Sequence, residues 1–444
     1  MEPKEVNNRT IFRFWFPLAL TWIIMALEGP FLAALIARMP QAKYNLAAYG
    51  VAFSFAVLVE SPIIMLMTAS TALANNKRNY LKMLRFTQVL NGAITLLFVV
   101  ILIPEIYHLV TRQLMGLDPR VSALTYRGLY LLIPWPAAIG FRRFFQGILI
   151  RNNRTRRVTY GTLIRLFSMM TSAVFLLLQK TEGIILGAVS LSVGVTAEAL
   201  ATWLMSRDIL RNHQAYRQTH SSDPYLSYRY IIRFYYPLAI TSFISIGIHP
   251  TVTFFLGKSR MALESLAILP VVNGFIFLFR SIALSYQEVG IALNLNHPRH
   301  YRHISAFARN LGLGLYAVIM LILFSPLSRF WFHVVSGLSL ELTLFALTPV
   351  RIMALLPLLS TWLSLQRAIL VISQQTRIIT RASMVEIITL VLVLFFSISL
   401  AHLVGAVGAA LAYLLGKLAS NLYLYPYQRQ FKRKFVTIGM NPAG

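Results

Sequence analysis

The chain has 444 residues, of which 57% are hydrophobic and only 12% are charged, and its mean hydropathy is +0.65. Soluble proteins carry about a quarter charged residues, so this composition excludes a water-soluble enzyme. A net charge of +27 would suggest nucleic-acid binding in a soluble protein. In a membrane protein it indicates basic cytoplasmic loops that face anionic lipid. The absence of cysteine excludes disulfides and thiolate metal ligands.

Apolar stretches that are long enough to cross a bilayer recur along the whole chain. A membrane-spanning helix needs about 20 mostly apolar residues. The sequence predicts twelve such helices, near residues 11–37, 46–73, 85–108, 122–149, 158–179, 183–206, 230–256, 262–292, 304–328, 339–366, 378–402 and 405–425. The predicted fold is therefore all-α and integral to the membrane.

Lysine and arginine are distributed unevenly between alternate loops. One set of loops contains clusters such as Lys77, Arg78, Lys82 and Arg85, whereas the opposite set contains isolated residues such as Lys180. Basic loops stay on the cytoplasmic side, so both termini are expected in the cytoplasm. We expect a location in the cell (inner) membrane, anionic lipids against the basic loops, and no nucleic-acid partner.

The two halves of the chain repeat one another. Residues 11–21 (IFRFWFPLALT) and 231–241 (IIRFYYPLAIT) match at seven of eleven positions, and Pro30 and Pro250 keep the same offset of 220. Two six-helix halves that enter the membrane from one side form a parallel repeat, as in many transporters. The predicted segments are a cytoplasmic tail (1–10), an N-lobe (11–206), a cytoplasmic linker (207–229), a C-lobe (230–425) and a basic cytoplasmic tail (426–444).

Short motifs in both halves resemble a known superfamily. Each half opens with R-F-x-x-P-L-A-x-T, from Arg13 and from Arg233, and residues 144–156 form a basic F-x-Q-G-x-L-I-R-x-x-R-T-R turn. These motifs resemble the multidrug/oligosaccharidyl-lipid/polysaccharide (MOP) exporter superfamily, which includes the multidrug and toxin extrusion (MATE) transporters and lipid-linked sugar flippases. Within it, the chain is most similar to the progressive ankylosis protein family, at residues 46–54, 61–62, 76–78, 264–269 and 296–298.

The resemblance implies a MATE-like fold with two pseudo-symmetric six-helix bundles. It also implies secondary active export by alternating access. For the ankylosis family it implies a small organic or inorganic anion, such as citrate, pyrophosphate or a nucleotide. The chain has no GxxxxGK[ST] motif for a nucleotide site. A gradient of H⁺ or Na⁺ is therefore the expected driving force, and no other cofactor is expected.

Four arginines within the predicted spans are candidate substrate ligands. A charged side chain at membrane depth costs about 2.5–3.5 kcal/mol on insertion scales, so it usually faces a partner or an aqueous cavity. Arginine is suited to bidentate binding of carboxylate or phosphate. We therefore predict an anion site formed by Arg127, Arg165, Arg280 and Arg351. Alternatively, Arg127 and Arg351 lie near an interface and extend to the lipid headgroups.

Three acidic residues within the spans, Glu28, Glu60 and Glu288, are candidate ion-coupling groups. Pro30 follows Glu28 closely and removes a helix hydrogen bond, which leaves a carbonyl free for an ion. The resemblance adds that Glu28 and Glu288 match acids of the family. Glu28 could instead be a structural partner of an arginine. Glu60 and Arg280 occupy equivalent repeat positions and either form a gating ion pair or are unrelated.

Other functional classes have weaker support in the sequence. His297, His300 and His303 lie in a basic loop and suggest a lipid-headgroup surface more than a metal site. No catalytic nucleophile motif is recognisable, so we expect neither an enzyme nor a metal centre. The alternatives are a flippase for a pyrophosphate-linked lipid, a MATE-type multidrug antiporter and, from another class, a membrane-embedded enzyme. A monomer is expected.

Overall fold

Helices account for nearly all of the regular structure. The computed structural model describes residues 7–152, 154–212, 226–293, 298–373 and 375–438, and outside its helices this part of the chain has one isolated bridge, between Arg260 and Val404. The helices of the first half are α1 (Asn8–Ala26), α2 (Glu28–Ala37), α3 (Ala42–Glu60), α4 (Leu66–Leu73), α5 (Lys77–Ile101), α6 (Pro104–His108), α7 (Pro119–Leu131), α8 (Trp135–Arg151), α9 (Thr155–Leu178) and α10 (Gly183–Asn212).

The second half continues with a similar order of helices. They are α11 (Tyr228–Ile246), α12 (Ile248–Gly257), α13 (Ala262–Leu284), α14 (Tyr286–Ala292), α15 (Pro298–Leu323), α16 (Leu327–Arg329), α17 (Leu340–Met353), α18 (Leu356–Ile372), α19 (Thr376–Leu394) and α20 (Gly405–Ile438). The ends of the predicted tails (1–6 and 439–444) and most of the predicted linker (213–225) lie outside the described residues.

The described residues contain eleven helical segments that are long and apolar enough to cross a membrane. The remaining predicted span, 122–149, is two shorter helices, α7 and α8, separated by residues 132–134. Pro134 and Pro136 lie at this break, where proline cannot donate a helical hydrogen bond. The predicted all-α membrane fold is confirmed, and its fourth span is a broken helix.

The backbone shows the internal repeat independently of sequence identity. Within the described residues, six positions have a positive φ, a conformation that costs a residue other than glycine about 1–2 kcal/mol. They form three pairs at offsets of 220, 221 and 222: Gln41 and Met261, Gly116 and Gly337, Lys180 and His402. The two halves of the chain therefore turn at equivalent points.

Packing divides the chain into two units, and one of them is continuous in sequence. This continuous unit is Leu35–Lys258, and its core includes Ile63 and Phe144. Helix α12, from the second half, belongs to it. The hydroxyl groups of Thr253 on α12 and Ser54 on α3 lie 2.7 Å apart and share a hydrogen bond.

The other, discontinuous unit combines Met1–Ala34 with Ser259–Gly444. Trp15 on α1 donates a hydrogen bond from Nε1 to the Ser285 hydroxyl at 3.1 Å. Gly274 on α13 packs against Pro30, because a Cβ added at this glycine would lie 3.1 Å from the proline ring. The first helices thus pack with the second half of the chain. The predicted lobes, 11–206 and 230–425, are defined by the sequence repeat and not by packing. They stay a prediction.

The Tyr107 side chain links α6, which follows the candidate membrane span Lys77–Ile101, to α7. Tyr107 is fully buried and its hydroxyl donates to the Ser122 carbonyl at 2.6 Å. Burial raises the pKa of Tyr107 to about 12, so the hydroxyl remains a donor up to strongly alkaline pH.

We expect Tyr107→Phe to lower the free energy of unfolding by about 1 kcal/mol, because it removes a buried hydrogen bond. Thermal unfolding of the purified protein in detergent measures the change. Tyr130→Phe is the control, since Tyr130 is 64% exposed. Equal melting temperatures for the two variants would contradict the role of this hydrogen bond.

Candidate functional site

The continuous unit contains a buried network around Glu198, which is 1% exposed. Arg142 forms an ion pair with Glu198 at 2.6 Å, and Arg165 lies 3.9 Å from the same carboxylate. Gln146 donates to the other carboxylate oxygen at 3.0 Å, and Thr162 lies 3.4 Å from it. Four side chains from α8 and α9 therefore surround one carboxylate from α10.

A second acid, Glu60 at the end of α3, extends this network. Its carboxylate accepts a 2.6 Å hydrogen bond from the indole of Trp135, at the start of α8. Trp135, Arg142 and Arg143 lie on one side of α8, because seven or eight residues complete about two helical turns. The charges of both arginines act on Glu60. We call these five charged residues, Glu60, Arg142, Arg143, Arg165 and Glu198, the Glu198 cluster.

The discontinuous unit contains a more cationic group, the Arg280 cluster, formed by Arg280, Arg367, Glu386 and Lys417. Arg280 on α13 donates from Nε to the Ser360 hydroxyl on α18 at 3.2 Å. Lys417 on α20 forms an ion pair with Glu386 on α19, and these side chains are 10% and 9% exposed. The charges of Arg280 and Arg367 also act on the Glu386 carboxylate.

Arg367 is the least satisfied member of the Arg280 cluster. Its Nε is buried and has no hydrogen-bond partner among the described residues. Neither Arg367 nor Arg280 has a described carboxylate within 4.0 Å that would make an ion pair. Three cationic groups thus share one carboxylate, and two of the three are not directly paired with it.

The two clusters occupy repeat-related positions but have opposite charges there. Glu60 corresponds to Arg280 at an offset of 220, and Arg165 corresponds to Glu386 at an offset of 221. The Glu198 cluster contains two carboxylates for three arginines, so its charges are nearly balanced. The Arg280 cluster contains one carboxylate for three cations, and it is therefore the better candidate for binding an anion.

Arg127 and Arg351, predicted as substrate ligands, have other partners. Arg127 forms an ion pair with Glu182 at 2.9 Å, with side chains 60% and 45% exposed. Arg351 is exposed, lies over the Phe324 ring at 4.8 Å and donates to the Leu323 carbonyl at 3.4 Å. These contacts fit the alternative in which Arg127 and Arg351 lie near a membrane interface and extend to the lipid headgroups. The structure instead places Arg165 and Arg280 in the two buried clusters.

The predicted ion-coupling acids lie in three different environments. Glu28 is buried at the first position of α2, directly after the break at Leu27. Glu60 is buried beside Trp135, and Glu288 on α14 is exposed. Glu60 and Arg280, the predicted gating pair, each have a hydrogen-bond partner within their own unit.

Arg142, Arg143 and Arg367 are site residues that are absent from the sequence-based prediction. Arg142 and Arg143 lie inside the predicted span 122–149, so the rule that selected Arg127 applies equally to them. Arg367 lies one residue beyond the predicted span 339–366. Glu198, Glu386 and Lys417 are also charged residues within predicted spans, where a charge is expected to face a partner or a cavity. Their specific partners are known only from the structure.

No group of metal-ligating side chains occurs among the described residues. The predicted alternative of a histidine site cannot be placed, because His297 and the side chain of His300 lie outside them.

Comparison with known proteins gives a family match for the first half. Residues 2–210 match the family model of the progressive ankylosis protein. The resemblance expected from the sequence is therefore confirmed over this region. No curated protein matches the chain by sequence.

Solved structures match nearly the whole chain. A multidrug resistance MATE family transporter of the MOP superfamily, in an inward-facing conformation, aligns with a TM-score of 0.72 at 14% identity, over 94% of this chain and 99% of that one. The chain has the MATE-like fold. The lipid II flippase MurJ aligns with a TM-score of 0.71 at 15% identity, over 95% and 90%.

A third similar structure is a MOP superfamily transporter from Pyrococcus furiosus. It has a TM-score of 0.57 at 12% identity, over 97% of this chain and 99% of that one. It is described as having a binding pocket of reversed polarity, which suggests a different function for that protein. The similar proteins are transporters and flippases, and none of the three is an enzyme.

Proposed function

We propose that the protein is a secondary active transporter that exports a small anion across the cell membrane by alternating access. The Arg280 cluster is the observation that carries this proposal. Uncompensated charge inside a membrane protein raises its free energy. Binding of an anion would therefore stabilise a cluster that has an excess of cations. Guanidinium groups bind carboxylate and phosphate oxygens through paired hydrogen bonds. A citrate-, pyrophosphate- or nucleotide-like anion has the required groups.

Arg280 and Arg367 are the proposed ligands in the discontinuous unit, and Arg165 contributes positive charge in the continuous unit. The family match over residues 2–210 and the MATE-like fold support a transport function. The exposed Arg127 and Arg351 are not required, because both have partners elsewhere.

Glu28 and Glu60 are the proposed coupling groups for H⁺ or Na⁺. Both carboxylates are buried, and Pro30 cannot donate to the Ala26 carbonyl close to Glu28. We further propose that the protein acts as a monomer with both termini in the cytoplasm. In this orientation the exposed Arg429, Lys432 and Arg433 at the end of α20 face anionic lipid.

Transport by proteoliposomes tests the proposal. We expect Arg280→Ala and Arg367→Ala to reduce the flux of labelled citrate or pyrophosphate by about 10- to 100-fold, since each removes a charged hydrogen-bond donor. Arg329→Ala is the control, because Arg329 is an exposed cation of the same unit. Unchanged flux in the first two variants would overturn the proposed site.

A flippase for a pyrophosphate-linked lipid is the second candidate function. The structural similarity to a lipid II flippase supports it, and the same guanidinium groups would bind a diphosphate. Scrambling of a labelled lipid diphosphate without any flux of soluble anions would favour this function. The excess of cations in the Arg280 cluster disfavours the remaining alternative, a MATE-type antiporter for cationic drugs.

A further inference from the structure

We propose that Glu386 determines the charge of the transported anion, so that the Arg280 cluster selects dianions. This inference rests on the proposed transport function and names its substrate class. At neutral pH, Arg280, Arg367 and Lys417 each carry one formal positive charge, and Glu386 carries one formal negative charge. The side chains of the cluster therefore have an excess of two positive charges.

The geometry divides the cluster into a neutral pair and two open cations. Lys417 and Glu386 form a direct ion pair, and both side chains are nearly buried. Arg280 has a neutral hydroxyl, that of Ser360, as its hydrogen-bond partner at Nε. The buried Nε of Arg367 has none among the described residues. The positive charge that remains is thus on the two guanidinium groups.

Two guanidinium groups match a molecule with two anionic ends. Each can bind one carboxylate or phosphate group through paired donors. A dianion makes the occupied cluster neutral, whereas a monoanion leaves one positive charge and a trianion leaves one negative charge. Because charges interact strongly where the effective dielectric constant is low, a mismatch of one charge weakens binding.

The Glu198 cluster provides an internal comparison. It is built at repeat-related positions, but Glu198 is paired directly with Arg142, and Glu60 adds a second negative charge. Its excess is one positive charge rather than two. The excess of two positive charges, which a dianion would neutralise, is therefore a property of the Arg280 cluster and not of the internal repeat.

The charge of the cluster can be changed in both directions with matched substitutions. Glu386→Gln raises the excess to three positive charges, and Lys417→Gln lowers it to one. The double variant Glu386→Gln/Lys417→Gln removes both charges of the ion pair and keeps the excess at two. Lys432→Gln is the control, because Lys432 is an exposed cation on the same helix.

Ligand-induced thermal stabilisation of the purified full-length protein gives the readout. The probes are butyrate, succinate and tricarballylate, which have one, two and three carboxylates, at neutral pH, where all of these carboxylates are ionised. We expect the wild type, the control and the double variant to bind succinate most tightly. Glu386→Gln should favour tricarballylate and Lys417→Gln should favour butyrate, each by a relative change of about tenfold.

Each outcome decides for or against the proposal. The same order of affinities in wild type and both single variants overturns it, as does a wild type that prefers a probe other than succinate. Should a single variant fail to fold, the double variant decides, since loss of its succinate preference also overturns the proposal. Flux of labelled succinate, citrate and pyrophosphate is measured in parallel in the wild type. Absence of flux for all three anions refutes the proposed function, whereas flux without a charge-dependent order refutes only the role of Glu386.

Discussion

Replacement of Glu198 by alanine is expected to lower the free energy of unfolding by about 3–5 kcal/mol, because it leaves buried cations without their counter-charge. Arg142 lies 2.6 Å from this carboxylate and Arg165 lies 3.9 Å from it. Gln146 also loses the acceptor of its 3.0 Å hydrogen bond. The effect is large because a single group satisfies side chains from two other helices.

Thermal unfolding in detergent measures this loss, and the same substitution at an exposed ion pair provides the control. Glu182 pairs with Arg127 at 2.9 Å, but its side chain is 45% exposed. Exposed pairs contribute about 0–1 kcal/mol, so Glu182→Ala should have a small effect. Similar losses of stability in the two variants would show that the Glu198 cluster is not a buried network.

Gly147→Ala is expected to destabilise the protein by about 1–3 kcal/mol through overpacking. A Cβ at this position would lie 1.8 Å from the Ser70 hydroxyl and 2.5 Å from the Met67 carbonyl oxygen. The close approach of α4 and α8 is also fixed by a 3.0 Å hydrogen bond from Ser70 to the Phe144 carbonyl. The backbone of α4 must therefore move to accept even a methyl group.

Gly92→Ala on α5 is the matched control for this substitution. Nothing lies within 4 Å of a Cβ added at Gly92. Alanine favours a helix over glycine by about 1 kcal/mol, so this variant should be slightly more stable than the wild type. Melting temperatures that rise in both variants would contradict the tight contact between α4 and α8.

Much of the fold was accessible from the sequence because the membrane imposes simple rules. Spans must be apolar and about 20 residues long, and a duplicated chain repeats its prolines at one offset. The break between α7 and α8 needed the structure, although Pro134 and Pro136 mark it. The packing of α1 with residues beyond 258 could not be predicted, because hydropathy is a local property and this contact joins distant segments.

The candidate site was only partly accessible from the sequence. Hydropathy identifies Arg280 as a charge within a span, but it cannot show which side of a helix faces the interior of a unit. Arg127 was selected for the same reason, and it is exposed beside Glu182. Arg367 was missed because the predicted end of its span was one residue too early. The pairing of Lys417 with Glu386 depends on how α19 and α20 pack, which sequence alone does not give.

The discontinuous unit has a consequence for the order of assembly during synthesis. Residues 35–258 form one continuous unit, so all of its helices are synthesised before α13. Trp15 on α1 can form its hydrogen bond to the Ser285 hydroxyl only after Ser285 has been synthesised. Domains generally fold as they emerge, from the N-terminus onward. Helix α1 therefore reaches its final neighbours only after the whole of the continuous unit has been synthesised.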